Sequence, residues 1–389
     1  MRDLYRMNDY LTRENTAVMK GIAIILMLAH HLWGFPERIA GGKLKYFFNI
    51  FGQSSISYIG VFGRICVSIF LFLSGYGLYR SSRKNGFDLI GRLKRLYCAF
   101  WKVFVIFIPL AFLLFSDQPL YCGSEWICNR YAAFSRQEAI GNFLGLISTY
   151  NAEWWFLLSY VIAVVSYPLI EKLADRFTGA AGIAGIILFS ILVADIFPAI
   201  GNIEALGTLN NHFLYRTFFC QTSLIPCFMM GVLCARENLL ERLRNKLAAN
   251  RLLNPPTDLF FLAAVLFCRN NWSGEALDIL YVPVLTVCCL DLLKHLKWIR
   301  ILLRHLGKQS TNMWLIHSFF CYYFYPVVKI VVFPRYAVLS LLVLIVLSYG
   351  ASFLLSLFWK QLGTGVNRAG AWIRSQTGKI QIGAAGARH

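Results

Sequence analysis

The chain has 389 residues, of which 58% are hydrophobic and only 15% are charged. Soluble domains average about 45–50% apolar and about 25% charged residues, and here the apolar residues cluster in runs of about 20. The composition therefore indicates a polytopic membrane protein. It excludes a soluble enzyme, a disordered chain and a small secreted domain held by disulfides.

The excess of basic residues is large, with a formal net charge of +19. In a soluble chain this charge would point to nucleic acid. In a membrane protein Lys and Arg first report orientation, because they concentrate in cytoplasmic segments. We therefore expect the lipid bilayer as a partner and no nucleic acid.

Ten apolar segments predict an all-α transmembrane bundle of about ten spans. They cover residues 17–35, 56–79, 96–115, 154–171, 179–199, 217–235, 257–270, 276–293, 310–333 and 336–358. The seventh is short, and a tilted, a re-entrant and a merged helix all stay open for it. Segment 139–149 is half a span long and predicts an interfacial or re-entrant helix.

The basic residues divide unequally between the two sides of this frame. With the N-terminus inside, 27 of the 38 fall in inner segments, seven in outer segments and four within spans. This predicts an even number of spans and two cytoplasmic termini. No cleavage site follows the first span, so we expect it to stay as an anchor.

We divide the chain into a membrane-embedded domain, residues 1–358, and a basic, Gly/Ala-rich cytoplasmic tail, residues 359–389. We expect a multi-pass protein of the plasma membrane, in particular of a bacterial cytoplasmic membrane. Most of the 11 Cys residues lie within spans, where Cys acts as a small apolar side chain. Cys122 and Cys128 share the outer segment 116–138, where a disulfide stays open. No metal-ligand spacing is present, so we predict no metal site.

The first span contains the most informative polar residues. An ionisable group inside a span costs about 2.5–3.5 kcal/mol or more, so it faces the bundle interior and marks function. Lys20 and His31 are about 20° from three full turns apart, roughly 16 Å along the axis. They therefore share a face, with Lys20 at the cytoplasmic rim and His31 near mid-membrane. His30 points about 100° away, and packing is its simpler interpretation.

The second span and the segment after it are also polar. Ser74 and Gly75 lie near the inner rim, where small residues let helices approach closely. Arg64 lies in the outer half and must either reach the interface or pair with an acid or an anionic ligand. Arg92 and Arg95 follow in a basic cluster, one turn apart. That cluster fits cytoplasmic orientation as well as a phosphate site.

The ninth and fourth spans supply the remaining candidates. We predict that Gly307 ends an inner helix and that Ser310 caps the ninth span, which places His317 about 10 Å deep. Glu153 opens the fourth span on the outer side. It is either solvated there or a carboxylate that faces an outer acceptor.

This pattern suits group transfer across a membrane. His can deprotonate a hydroxyl near neutral pH, and inner-rim cations can hold a phosphorylated donor. The candidate catalytic residues are His31, His317 and Glu153. The candidate donor-binding residues are Lys20, Arg92, Arg95 and Ser74.

Four segments within residues 17–333 share their order and residue types with one known family. They are Lys20 to His31, Phe70 to Tyr76, Arg92 to Arg95 and Leu306 to His317. Together they resemble the acyltransferase-3 family, multi-pass membrane O-acyltransferases that modify surface glycans. One departure is Lys20, which stands where the family has Arg; Lys keeps the charge but lacks the bidentate fork.

The resemblance implies an acyl-CoA donor, usually acetyl-CoA, bound from the cytoplasm, and a hydroxyl acceptor on a polysaccharide or lipid-linked glycan. It implies that Lys20 and His31 form the family's Arg-x10-His motif and that His317 is its late histidine. Arg92 and Arg95 would bind donor phosphate. His31 acts as general base or as acyl relay, and the sequence leaves both open.

Two other classes of function stay possible at this point. A transporter or flippase for an anionic or glycan substrate would line its path with the same polar groups. The chain shows no internal repeat by inspection, and its cations cluster at one rim, which weighs against transport. A non-catalytic partner of a polysaccharide synthase is the third interpretation.

Overall fold

The computed structural model describes residues 10–220 and 223–386, with the side chains of residues 10–217, 219 and 223–364. This part of the chain is almost wholly helical, so the predicted all-α class is confirmed. A two-residue antiparallel hairpin, β1 (Asn49–Ile50) with β2 (Gln53–Ser54), is the only sheet among the described residues.

The helices follow one another with short connections. In the first half they are α1 (Arg13–Trp33), α2 (Ser55–Gly63), α3 (Ile65–Asn85), α4 (Leu89–Leu114), α5 (Glu125–Cys128), α6 (Arg136–Phe143), α7 (Trp155–Val165), α8 (Tyr167–Arg176) and α9 (Gly179–Ile191). In the second half they are α10 (Phe197–Gly201), α11 (Phe213–Tyr215), α12 (Ile225–Glu237), α13 (Leu239–Ala249), α14 (Pro255–Cys268), α15 (Asp278–Leu292), α16 (Lys297–Ser318), α17 (Tyr325–Val332) and α18 (Ala337–Gly386).

Among the described residues, five helices are long and apolar enough to cross a membrane, and the number rises to seven if each of two bent pairs is one span. The bends are 53° between α7 and α8 and 89° between α16 and α17. Both following helices carry Pro in the first turn, at Pro168 and Pro326. Proline starts a helix readily but cannot continue one. The ten-span count stays a prediction, because α12, α14 and α15 have only 13, 14 and 15 residues.

Helix α1 packs against α16 along a close backbone crossing. A Cβ atom at Gly307 would lie 1.8 Å from the Ala17 carbonyl oxygen, and one at Gly21 would lie 2.0 Å from the Leu303 carbonyl oxygen. Only glycine permits this approach. The predicted helix end at Gly307 and the cap at Ser310 are therefore wrong, because α16 runs unbroken from Lys297 to Ser318.

Helices α3 and α12 cross in the same way. A Cβ atom at Gly75 would lie 2.1 Å from the Phe228 carbonyl oxygen, and one at Gly231 would lie 2.1 Å from the Phe72 carbonyl oxygen. The close approach expected at Gly75 is confirmed. It fixes the neighbouring Ser74 relative to α12.

Arg64 lies between α2 and α3 and pairs with Glu275, at 2.5 Å between Nε and Oε1. A second pair lies beside it, where Arg269 Nε donates to Asp278 Oδ1 at 2.7 Å and the Ser68 hydroxyl donates to Oδ2 at 2.6 Å. Of the alternatives left open for Arg64, the structure shows pairing with an acid, and that acid is Glu275. These pairs join α2 and α3 to the start of α15.

The last helix continues through the predicted division of the chain. Helix α18 extends over Ala337–Gly386, so the boundary at 358/359 falls inside it. The division into domain and tail stays a prediction, and residues 387–389 of that tail lie outside the described residues. Segment 139–149 holds the end of the short helix α6 and the turn after it.

Candidate functional site

A cavity of about 400 Å³ lies between α1, α3, α7 and α16. Four of the seven predicted site residues line it: Lys20, His31, Ser74 and Glu153. Lys20 and His31 are eleven residues apart on α1, so the cavity follows that helix for roughly 16 Å. The close crossing of α1 and α16 forms one wall. It fixes how far along the two helix axes their side chains lie from one another.

His317 of α16 lies directly beside His31, with 4.9 Å between the ring centroids. It is fully buried, and its Nδ1 lies 2.7 Å from the Trp314 carbonyl oxygen. A carbonyl can only accept, so Nδ1 carries the proton and donates. Within the described part of the chain Nε2 has no hydrogen-bond partner. His317 therefore holds a buried, unused lone pair next to His31.

His31 is half-buried and touches Tyr322. The Tyr322 hydroxyl donates to the His31 carbonyl oxygen at 2.5 Å, and it lies 3.4 Å from His31 Nδ1. Because the hydroxyl proton is already donated to the His31 carbonyl oxygen, a lone pair of the hydroxyl oxygen faces Nδ1. This arrangement favours a proton on Nδ1 of His31 and a free lone pair on Nε2.

His30 also lines the cavity, although its neighbour was the expected functional residue. Its Nδ1 lies 2.8 Å from the Gly60 carbonyl oxygen and donates to it. The contact ties α1 to α2. The packing interpretation of His30 therefore has a definite partner.

Glu153 is only 5% exposed, so the solvated interpretation of this carboxylate is wrong. The Tyr323 hydroxyl donates to Oε2 at 2.8 Å, and Arg38 Nη1 lies 3.9 Å from Oε1. The Trp314 indole donates to the Glu153 carbonyl oxygen at 3.2 Å. The carboxylate is thus held in one orientation at the cavity wall.

Three residues of this site were absent from the predicted set. Tyr322 and Tyr323 lie in a π-helical segment, Phe319–Tyr323, and their hydroxyls donate to His31 and Glu153, two residues that line the cavity. Such segments often occur at functional sites. Arg38 counted only as an outer-loop charge in the sequence, whereas it stacks on Phe35 at 4.1 Å and lines the cavity. In the sequence, the run of aromatic residues after His317 is the feature that could have indicated Tyr322 and Tyr323 as site residues.

Arg92 and Arg95 do not line the cavity. Arg92 donates to the Ser81 hydroxyl, and its Nε has no partner among the described residues. Leu96, one turn after Arg92 on the same face, does line the cavity. Both arginines act electrostatically on Tyr160, which shares a hydrogen bond with Ser74. They therefore lie on the approach to the Ser74 end.

The family comparison adds an independent observation. A model of the acyltransferase-3 family, described as an acyltransferase domain, matches residues 16–358. The chain belongs to this family. It is a multi-pass membrane acyltransferase, and the match covers every predicted site residue.

Comparison with curated proteins and comparison with solved structures each give no match. Within the described residues no group of three or more metal-ligating side chains occurs.

Proposed function

We propose that this acyltransferase transfers an acetyl group from cytosolic acetyl-CoA to a hydroxyl group of a polysaccharide or lipid-linked glycan. The acceptor lies at the outer face of the bacterial plasma membrane. One observation carries the proposal. A single cavity joins Lys20, His31 and the oriented carboxylate of Glu153, and the buried His317 lies directly beside His31. The proposal assumes ten membrane spans and both termini in the cytoplasm, as the distribution of Lys and Arg indicates.

The Lys20 end would then face the cytoplasm and receive the donor. Arg92 and Arg95 on the approach bind the phosphates of CoA, and Lys20 binds the phosphate nearest the cavity. Ser74 and Tyr160 line the path of the pantetheine arm. The roughly 16 Å from Lys20 to His31 gives that extended arm room to bring its thioester to the histidine pair.

His31 would act as general base. Its Nε2 takes the proton of the acceptor hydroxyl, and the hydroxyl oxygen attacks the thioester carbonyl carbon. The new carbon–oxygen bond forms as the carbon–sulfur bond breaks. The departing CoA thiolate takes the proton back from the imidazolium, so no net charge is left behind.

Two neighbours support this step. The carboxylate of Glu153, which lines the same cavity, favours the transient imidazolium, because opposite charges attract more strongly inside a protein than in bulk water. Tyr323 and Arg38 hold that carboxylate still, so little reorganisation is needed during transfer. His317 Nε2 offers a second basic nitrogen beside His31.

The alternative route is an acyl relay, in which a histidine Nε2 attacks the thioester first and the acyl group then passes to the acceptor. Rapid quench with radiolabelled acetyl-CoA in the absence of acceptor separates the two routes. A label that stays on the chain and is lost after hydroxylamine treatment indicates the relay.

Reconstituted protein in liposomes tests the proposal. His31→Ala and His317→Ala should each lower transfer from acetyl-CoA about 10²–10⁴-fold. His305→Ala is the matched control, since His305 is an exposed histidine of α16, the helix that carries His317. Mass spectrometry of surface glycans with and without the protein would identify the acyl group and the acceptor.

Full transfer by His31→Ala would overturn the assigned chemistry. Uptake or flipping of glycan into liposomes without any dependence on acyl-CoA would instead favour the transporter interpretation. Unchanged glycan acylation after loss of both His31 and His317 would favour a non-catalytic partner.

A further inference from the structure

A second groove of about 540 Å³ lies next to the catalytic cavity. We name it the arginine groove, and its residues of interest are Arg130, Arg216, Trp126, Glu138, Trp155 and Phe213. Trp155 lines both the groove and the cavity. In the ten-span frame Trp155 lies at the outer start of the fourth span, and the other five of these residues belong to outer segments.

Two further contacts join the groove to the catalytic site. The Trp126 ring lies 4.4 Å from the guanidinium carbon of Arg130 and 5.3 Å from that of Arg38. Arg130 also lies 5.0 Å from the ring of Tyr323, whose hydroxyl donates to Glu153. A ligand in the groove would therefore lie one side chain away from the catalytic carboxylate.

In the described part of the chain the two arginines of the groove, Arg130 and Arg216, form no ion pair with a carboxylate, although Arg64 and Arg269 do. Arg130 Nε is buried and has no hydrogen-bond partner there. Among the described lining residues Glu138 is the one carboxylate, against two arginines, so these residues carry a net positive charge. Unpaired guanidinium groups bind carboxylate and phosphate oxygens well.

Aromatic side chains provide the remaining surface. Trp126 is 43% exposed and Phe213 is 44% exposed, although both lie in a groove. Flat aromatic rings pack against the C–H faces of sugar rings, and they add apolar contact area at little cost in side-chain entropy. Cations together with exposed rings match a charged sugar better than a neutral one.

We infer that the arginine groove binds an anionic sugar of the acceptor glycan, one that carries a carboxylate or a phosphate. Its anionic group contacts Arg130 and Arg216, its ring packs on Trp126 and Phe213, and the hydroxyl to be acylated passes Trp155 towards Glu153. This inference rests on the proposed function and names the substrate class for the same site.

Binding measurements on the full chain in lipid nanodiscs test the inference. The probes are a tetrasaccharide of β-1,4-linked glucuronic acid, cellotetraose and cellotetraose 1-phosphate, with acetyl-CoA binding measured in parallel. At least one charged probe should bind about tenfold or more tightly than cellotetraose, because charge-assisted hydrogen bonds are the stronger ones. The probe preferred identifies carboxylate or phosphate as the recognised group.

Substitutions then assign the preference to the groove. The double variant Arg130→Gln with Arg216→Gln should bind charged and neutral probes equally, whereas Arg130→Lys with Arg216→Lys should keep part of the preference. Arg136→Gln is the control, because Arg136 is an exposed cation of the same outer segment that does not line the groove.

Equal binding of charged and neutral probes by the wild type, no binding of either charged probe, or a preference that survives the Gln variant would overturn the inference. With acetyl-CoA binding and turnover intact, such a result concerns the groove alone. Loss of acetyl-CoA binding in the wild type itself would overturn the proposed function as well.

Discussion

Gly307→Ala should reduce catalysis through backbone displacement alone. The added Cβ would lie 1.8 Å from the Ala17 carbonyl oxygen, about half of the 3.4 Å at which ordinary contact begins. The next nearest atoms are also backbone, at Ala17 C and Gly21 N. No side chain can rotate to make room, so α1 and α16 must separate by about 1 Å or more.

This separation has two measurable consequences. Overpacking at such a contact costs about 1–3 kcal/mol of stability. His31 and His317 lie on the two helices that move apart, and a displacement of about 1 Å in a catalytic site can cost about 10²-fold in rate. We expect kcat/KM for transfer from acetyl-CoA to fall by roughly that factor while the protein still folds.

Thermal unfolding followed by tryptophan fluorescence, together with turnover, would measure both effects. Gly350→Ala is the matched control, since a Cβ at this helical position meets nothing within 4 Å. It should keep full activity and gain up to about 1 kcal/mol in helix propensity. Wild-type turnover and stability in Gly307→Ala would refute the reasoning, because they would mean that the two backbones are not in contact.

Three further predictions concern single residues. Lys20→Ala should raise KM for acetyl-CoA about tenfold or more with little change in kcat, whereas Lys20→Arg should keep KM low; an unchanged KM in Lys20→Ala would contradict the donor role. Asp278→Asn leaves Arg269 buried without its charged partner, so the midpoint of thermal unfolding should fall in line with a loss of about 3–5 kcal/mol, and Arg269→Met added to it should restore part of that loss. Burial, with a smaller contribution from Cys128, raises the pKa of the Cys122 thiol to about 11; because burial remains in a Cys128→Ser background, the alkylation rate of Cys122 should still rise with pH beyond pH 9, and a plateau near pH 9 would contradict this.

Much of the site followed from local sequence pattern. The lengths of the apolar runs predicted the all-α class, because a helix hydrogen-bonds its own backbone N–H and C=O groups and can therefore cross lipid. The helical period of 3.6 placed Lys20 and His31 on one face, and the cavity does contain both. The cost of an arginine in a span indicated that Arg64 must reach the interface or find an anionic partner, whereas the sequence left a solvated Glu153 open.

The partners themselves depended on the tertiary structure. Periodicity gives the face and depth of a side chain, but it does not say which helix lies opposite. The contact of His31 with His317, the pairing of Arg64 with Glu275 and the hold of Tyr323 on Glu153 all join distant segments. Gly307 shows the limit most clearly: a glycine ends helices as readily as it packs them, and only the α1–α16 crossing decides that it packs them here.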